Sequence, residues 1–230
     1  MLFGTPLFLL GFLPLTLAGF RLTARIGTVP ALGLLLCANF IFYGFGDRAD
    51  SLLLAASILG NWLILPRMAS GAWFAAGIAA NLAVLGLFKY GGLIAASLGL
   101  PALGLALPLG ISFFTFQQIM VLRDARIAPP ARNAGSFLAY ANCISFFAHL
   151  IAGPLVHPAE IMPQIQRSLE RLLDPEAIAE GLMRILLGLA KKLVLADSFA
   201  PLADRGFAAA AHGAPLSLFE AWVALLAFGL

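Results

Sequence analysis

Eight apolar runs, each close to the length needed to cross a bilayer, follow one another through a chain of 230 residues. They cover 2–20, 29–45, 51–66, 72–88, 103–122, 137–156, 178–196 and 216–230. A helix needs about 20 mostly apolar residues to span the hydrocarbon, so the pattern predicts an all-α, polytopic helical membrane protein with about 7–9 membrane helices. The 51–66 run is short and implies a tilted helix or a thinned bilayer. The piece at 91–100 is too short to span alone and is expected to be re-entrant or interfacial. Composition allows nothing else: 61% of the residues are hydrophobic and 11% charged, against about 25% charged in soluble domains. Such a chain cannot cover a water-facing surface, and membrane lipid must be its principal partner.

The charges sit where topology signals sit. Arg21, Arg25, Arg48, Arg67, Lys89, Arg123 and Arg126 fall singly or in pairs beside apolar runs. A nucleic-acid binder gathers its basic residues on a polar domain, so the net charge of +3 carries no nucleic-acid partner. Arg21 and Arg25 favour a cytoplasmic first loop and an N-terminus outside. Lys89 fits the simple alternation less well. The opening run has no positive region before it and is read as a retained first span, not a signal peptide. Cys37 and Cys143 lie inside apolar runs and read as buried apolar filler. Small residues at Gly71, Ala75, Ala79 and Ala83 share one helix face and predict close packing against a neighbour.

The second half is more polar than the first. Residues 1–120 hold five basic and two acidic side chains, and residues 121–213 hold nine and eight. The whole of 1–230 reads as one membrane domain, with 157–177 an extramembrane or interfacial element inside it. The last run is still apolar at Leu230, which predicts a chain truncated in mid-span.

Polar side chains in membrane helices are costly and usually face the bundle interior. Ser112, Thr115 and Gln118 recur every third residue with Gln117 beside them. Asn142, Ser145 and His149 fall at i, i+3 and i+7, also one helical stripe. Interhelical hydrogen bonding accounts for both stripes; the wall of a water-accessible cavity accounts for them equally in kind. His149 is the sharpest candidate, because imidazole is the usual general base near neutral pH, although a hydrogen-bonded structural histidine is the commoner case. His157 follows Gly153-Pro154 at a helix break, and His212 sits in a small-residue loop; neither is expected to be catalytic. No histidine has a second ligand at metal-binding spacing, so no metal is expected.

Lys191 and Lys192 interrupt an apolar helix, with Arg184 one heptad before Lys191 and Glu180 four residues before Arg184. The plain reading is an interfacial helix whose lysines snorkel to the headgroups. The sharper one makes Arg184, Lys191 and Lys192 a cationic collar for the phosphates of an acetyl donor.

Several words of the chain are similar to a known family. The sequence LPLGISFFTFQ at 107–117 resembles the membrane-bound O-acyltransferase signature, and SFFAHLIAGP at 145–154 followed by EIMPQ at 160–164 resembles its second signature. The segments GLAKKLVLAD at 188–197, NFIFY at 39–43 and the opening MLF resemble the alginate and exopolysaccharide O-acetylase branch. Ala148 stands where a proline is common, and DAR at 124–126 replaces a more aromatic stretch. The words keep the family's order and span almost the whole chain.

The resemblance implies a helical ring around a tunnel in the inner (cytoplasmic) membrane of a bacterium. It implies transfer of an acetyl group, from acetyl-CoA or an acyl carrier as substrate and with no bound cofactor, to a polysaccharide acceptor such as alginate. A periplasmic acetyl-relay or acetyltransferase protein is the implied partner. The catalytic histidine is expected beyond Leu230, so none is assigned here and this part is expected to be inactive alone. The present residues then form scaffold and tunnel wall, with Ser112, Gln117, Gln118, Asn142, Ser145 and His149 as candidates for the wall and Arg184, Lys191 and Lys192 for the donor side. A polytopic transporter or a non-catalytic membrane subunit are the alternatives.

Overall fold

A computed structural model describes residues 3–101, 105–127, 136–150 and 175–229, with positions 153, 160, 161, 163, 164 and 167. The described residues are helical wherever they are regular, and they divide into two compact units, Met1–Leu172 and Leu173–Leu230.

In the first unit a π-helical turn at Leu7–Phe12 runs into α1 (Leu13–Ala24), followed by α2 (Thr28–Gly44) and α3 (Arg48–Ile64). A 3₁₀ turn at Leu65–Arg67 leads to α4 (Gly71–Ser97), followed among the described residues by α5 (Ile111–Ile127), α6 (Phe137–Ser145) and the short α7 (Phe147–Leu150). Three of these stretches, Leu7–Ala24, Arg48–Arg67 and Gly71–Ser97, are long and apolar enough to cross a membrane. The protein is a membrane protein, with these three helices and several shorter apolar ones among the described residues.

Four expectations need correction. The 91–100 piece is not separate: α4 continues through Gly91 and Gly92 to Ser97, because nothing at 89–97 interrupts the helical hydrogen bonds. Its 27 residues extend about 40 Å at 1.5 Å each, longer than the hydrocarbon core. The small-residue stripe Gly71, Ala75, Ala79 and Ala83 is exposed. The packed face of α4 instead carries Gly77, Asn81 and Leu85, and Gly77 is the close-approach position. A Cβ there would stand 2.9 Å from Ile64 Cδ1 and 3.0 Å from Leu122 Cδ1. Cys37 is exposed while Cys143 is buried, since Cys37 falls on the face of α2 opposite Leu32, Leu35 and Asn39.

The fourth correction concerns the run at 103–122, which is helical only from Ile111. Pro108 cannot donate a backbone hydrogen bond, and Gly110 takes φ 71, a conformation that side chains disfavour. Leu109 is held between helices: its carbonyl accepts from the Tyr43 hydroxyl, and its N–H donates to Asp50 at 3.3 Å. The 157–177 element lies largely outside the described residues.

Two apolar groupings hold this unit. Leu54, Ile58, Met68, Phe114, Leu122, Tyr140, Ile144 and Leu150 form the larger core. The smaller one joins the chain start to the second signature. Phe42 and Phe12 each lie 5.3 Å from Phe147 between ring centroids, and Phe8 lies 5.6 Å from Phe42, all within the range of favourable ring pairs.

The second unit comprises α8 (Pro175–Ala190), a π-helical stretch at Lys191–Ala196, α9 (Asp197–Ala211) and α10 (Leu218–Gly229). Helix α9 ends at Gly213, φ 71, with Ala214 N–H donating to Ala209 C=O and Gly213 N–H to Ala210 C=O, a paired arrangement that closes helix C-termini. Helix α10 opens on a reciprocal cap. Glu220 N–H donates to Ser217 Oγ at 3.3 Å, and the Glu220 carboxylate accepts from Ser217 N–H at 2.8 Å, as in an S-x-x-E box. Gly206 lets α9 and α10 touch, since a Cβ there would stand 2.3 Å from Ala224 Cβ.

Candidate functional site

The site is built on α5, because its two adjacent glutamines are both buried. Adjacent helical residues point about 100° apart, so Gln117 and Gln118 reach different neighbours. Gln118 Nε2 donates to Ser57 Oγ on α3 at 3.0 Å, and the Tyr140 hydroxyl on α6 donates to Gln118 Oε1 at 3.4 Å. Gln117 Nε2 lies 2.9 Å from His149 Nε2, and that same ring nitrogen lies 3.2 Å from the Cys143 carbonyl. Unprotonated, it accepts from the Gln117 amide; protonated, it donates to the carbonyl. Thr115 is buried and Ser112 half-buried on the same helix.

The expected Asn142–Ser145–His149 stripe divides in two. The α6 helix stops at Ser145, and Phe146 takes φ −58 and ψ 111. Phe147 N–H, freed from the helix, donates instead to Asn39 Oδ1 at 3.2 Å. Asn39 Nδ2 in turn donates to Asn142 Oδ1 at 3.1 Å and to Ser145 Oγ at 3.3 Å. Asn142 Nδ2 donates to the Leu32 and Leu138 carbonyls, and Ser145 Oγ donates to the Ala141 carbonyl. Asn142 and Ser145 therefore face α2 and are sealed in, while half-buried His149 turns to α5.

Spacing does not select Asn39, Asn61, Asn81, Ser57 or Tyr140. Asn61 on α3 and Asn81 on α4 donate to each other's side-chain oxygens at 3.2 and 2.7 Å. The signal available for them is the cost of an amide in a lipid-spanning run, because each is the lone asparagine of its run. They line a cavity of about 320 Å³ together with Ser57, Gly60 and Val84.

The three basic candidates are all exposed, and two are neutralised locally. Arg184 Nη2 lies 2.5 Å from Glu180 Oε1, the expected i, i+4 pair. Lys192 Nζ lies 3.1 Å from Asp197 Oδ2. In an α-helix residues five apart stand about 140° apart around the axis, which puts Asp197 out of reach. The π-helical Lys191–Ala196 stretch bonds i to i+5 and brings the two into line. His212 Nδ1 lies 2.7 Å from the Ala208 carbonyl at the end of α9. Within the second signature, Pro154 and His157 lie outside the described residues.

No protein-family model and no solved structure matches the chain. Curated relatives do. The chain is 35% identical over 99% of its length to the "Peptidoglycan O-acetyltransferase" of Helicobacter pylori, of which it covers 50%. It is 32% identical over 99% of its length to the "Probable alginate O-acetylase" of Azotobacter vinelandii, covering 47% of that protein, and 34% over 90% to its namesake in Pseudomonas aeruginosa, covering 42%. Over nearly its whole length the chain is thus similar to proteins named as O-acetyltransferases. It spans about half the length of the curated relatives it matches. The two words that resemble family signatures meet at one contact: Gln117 closes the first, His149 lies in the second, and their side chains touch.

Proposed function

We propose that this chain is the scaffold and tunnel-wall part of a bacterial inner-membrane, multi-pass O-acetyltransferase. Such an enzyme passes an acetyl group across the membrane to hydroxyls of an exported polysaccharide, with alginate and peptidoglycan acetylation as precedents. The observation that carries this is likeness, at 31–35% identity over 90–99% of the chain, to relatives named as O-acetyltransferases.

One contact between the two signature segments supports the wall reading. Gln117 and His149 are the pair whose polar atoms lie nearest one another between the two signature segments, and His149 is half-buried. In this reading His149 faces a donor or acceptor group in the tunnel, and the histidine that performs base catalysis is contributed by another part of the enzyme. The donor is acetyl-CoA or an acyl carrier, the partner a periplasmic acetyl-relay or acetyltransferase protein, and no cofactor is bound. Arg184, Lys191 and Lys192 are placed at the donor side.

The test is deletion of the gene encoding this chain in its host, followed by alkaline release and quantitation of acetyl from every exported polysaccharide. Loss of O-acetyl ester from one polymer, restored by the gene in trans, is the expected result. Unchanged ester on all of them overturns the reading.

A further inference from the structure

A cavity in the first unit serves none of the contacts given above. It opens where α2 ends and α3 begins, has a volume of about 730 Å³, and is walled by Phe40, Ile41, Leu52 and Ala55 with Arg48 and Ser51. That volume falls in the range of about 300–1,000 Å³ typical of sites for small molecules. Gly44 and Phe45 complete the lining, and the missing side chain at Gly44 matters. A Cβ there would lie 3.2 Å from Ser51 Oγ, so any larger residue narrows the cleft beside the serine.

The polar side chains lining this cleft are Arg48 and Ser51, and Asp47 and Asp50 flank them in the chain without lining it. Asp47 is occupied in capping α3, where its carboxylate accepts from Ala49 N–H at 2.9 Å. Asp50 accepts from Leu109 N–H. Arg48 is exposed and makes no ion pair among the described residues. Ser51 Oγ is buried with no hydrogen-bond partner among them, an incompletely satisfied position for a hydroxyl. One cation and one unsatisfied hydroxyl thus stand at the head of an otherwise apolar cleft, at the end of a helix long enough to cross the membrane. Arginine matches phosphate in geometry and charge, and a polar head above an apolar slot is the outline of a lipid.

We propose that this cleft binds an anionic phospholipid, with its phosphate on Arg48 and, after rotation about χ1, on Ser51, and with one acyl chain laid against Ile41, Leu52 and Ala55. Charge complementarity decides for an anionic lipid over a zwitterionic one, whose own cation competes with Arg48. The apolar walls decide against a free phosphate or a sugar. The proposal is independent of the acetyl-transfer reading.

The experiment uses the full chain purified in mild detergent, delipidated, and reconstituted in nanodiscs of phosphatidylcholine containing one-tenth phosphatidylglycerol. Lipid retained after extraction back into detergent is measured by native mass spectrometry. The wild type is expected to retain phosphatidylglycerol at least fivefold above its share of the bilayer. Arg48→Gln should return it to that share, and Ala55→Trp should lower total retained lipid twofold or more. Arg25→Gln, an exposed arginine at a different helix end, serves as control and should behave as wild type. Far-UV circular dichroism of each variant verifies that it is folded. No enrichment in the wild type, enrichment that survives Arg48→Gln, or equal loss in Arg25→Gln overturns the proposal. So does a cleft covered by protein, read as cross-linking of a photoreactive residue at Leu52 to polypeptide instead of lipid.

Discussion

The two units use polar residues in opposite ways. In residues 1–172 the buried polar side chains bridge helices far apart in sequence, such as Asn39 with Asn142 and Ser57 with Gln118. In residues 173–230 the polar pairs are exposed and local, Glu180 with Arg184 and Asp197 with Lys192. Among the described residues there, the buried ones are Ala203, Ala224 and Ala227. The first unit is pinned by directional bonds that exist in one arrangement only. The second is held by backbone proximity at Gly206 and by good helix ends. Directional buried bonds specify where side chains such as Gln117 point; small-residue contacts specify only how near two helices come.

The largest effect that tests this contrast is expected at Asn39. Asn39→Leu removes the acceptor of Phe147 N–H and the donor to Asn142 and Ser145. Leaving a buried polar group without its partner costs about 1–3 kcal/mol, so a loss of about 2–3 kcal/mol is expected, measured by unfolding in mixed detergent micelles. The aromatic contacts of Phe147 should loosen with it, read as faster thiol labelling of a cysteine at Ala148. A variant as stable as wild type would remove the directional half of the comparison.

Next comes Gly206→Ala. A Cβ 2.3 Å from Ala224 Cβ cannot be accommodated without moving α9 from α10, and overpacking of this kind costs about 1–3 kcal/mol. A second change, Ala224→Gly, should restore more than half of the loss. Absence of rescue would mean that the helices do not meet at this point.

A smaller effect is expected of Asn81→Ala, which leaves the Asn61 amide with the Ser57 carbonyl as acceptor. About 0.6 kcal/mol is the usual worth of such a bond within a membrane. A cost above 2 kcal/mol would show this pair to be as central as Asn39.

The sequence made much of the first unit legible, in physical terms that differ by residue. The glutamines of α5 could be picked out because two amides in an apolar run are expensive wherever they point. The break after Ser145 was not legible. Neither Pro nor Gly occurs at 143–148, and what ends the helix is Asn39, more than a hundred positions away, accepting the N–H of Phe147. Small size alone does not mark the packed face of α4, which the amide at Asn81 and the contacts at Gly77 fix. In the second unit the Arg184–Glu180 pair follows from α-helical spacing. The Lys192–Asp197 pair does not, since it depends on a local change of helical period.

That change of period carries the smallest prediction. Lys192 and Asp197 are each about half exposed, with side-chain exposures of 56% and 49%, and exposed ion pairs contribute about 0.2–1 kcal/mol. Screening reduces that further, since the Debye length is about 3 Å at 1 M salt. A double-mutant cycle with Lys192→Ala and Asp197→Ala should give a coupling near 0.3 kcal/mol in low salt and none at 1 M. The same cycle between Lys191 and Asp197, six positions apart, should give no coupling in either. If the segment were α-helical, the 140° between positions 192 and 197 would hold the charges apart, and the first cycle too would read zero at low salt. Single cysteines at 191 and 192 add the depth of the turn. Impermeant thiol reagent should label both from one side of the membrane, as expected of lysines whose charge reaches the headgroups. Protection from both sides would place the π-helical turn within protein or lipid, and a pair there would no longer be the weak, screened one that distinguishes this unit from the first.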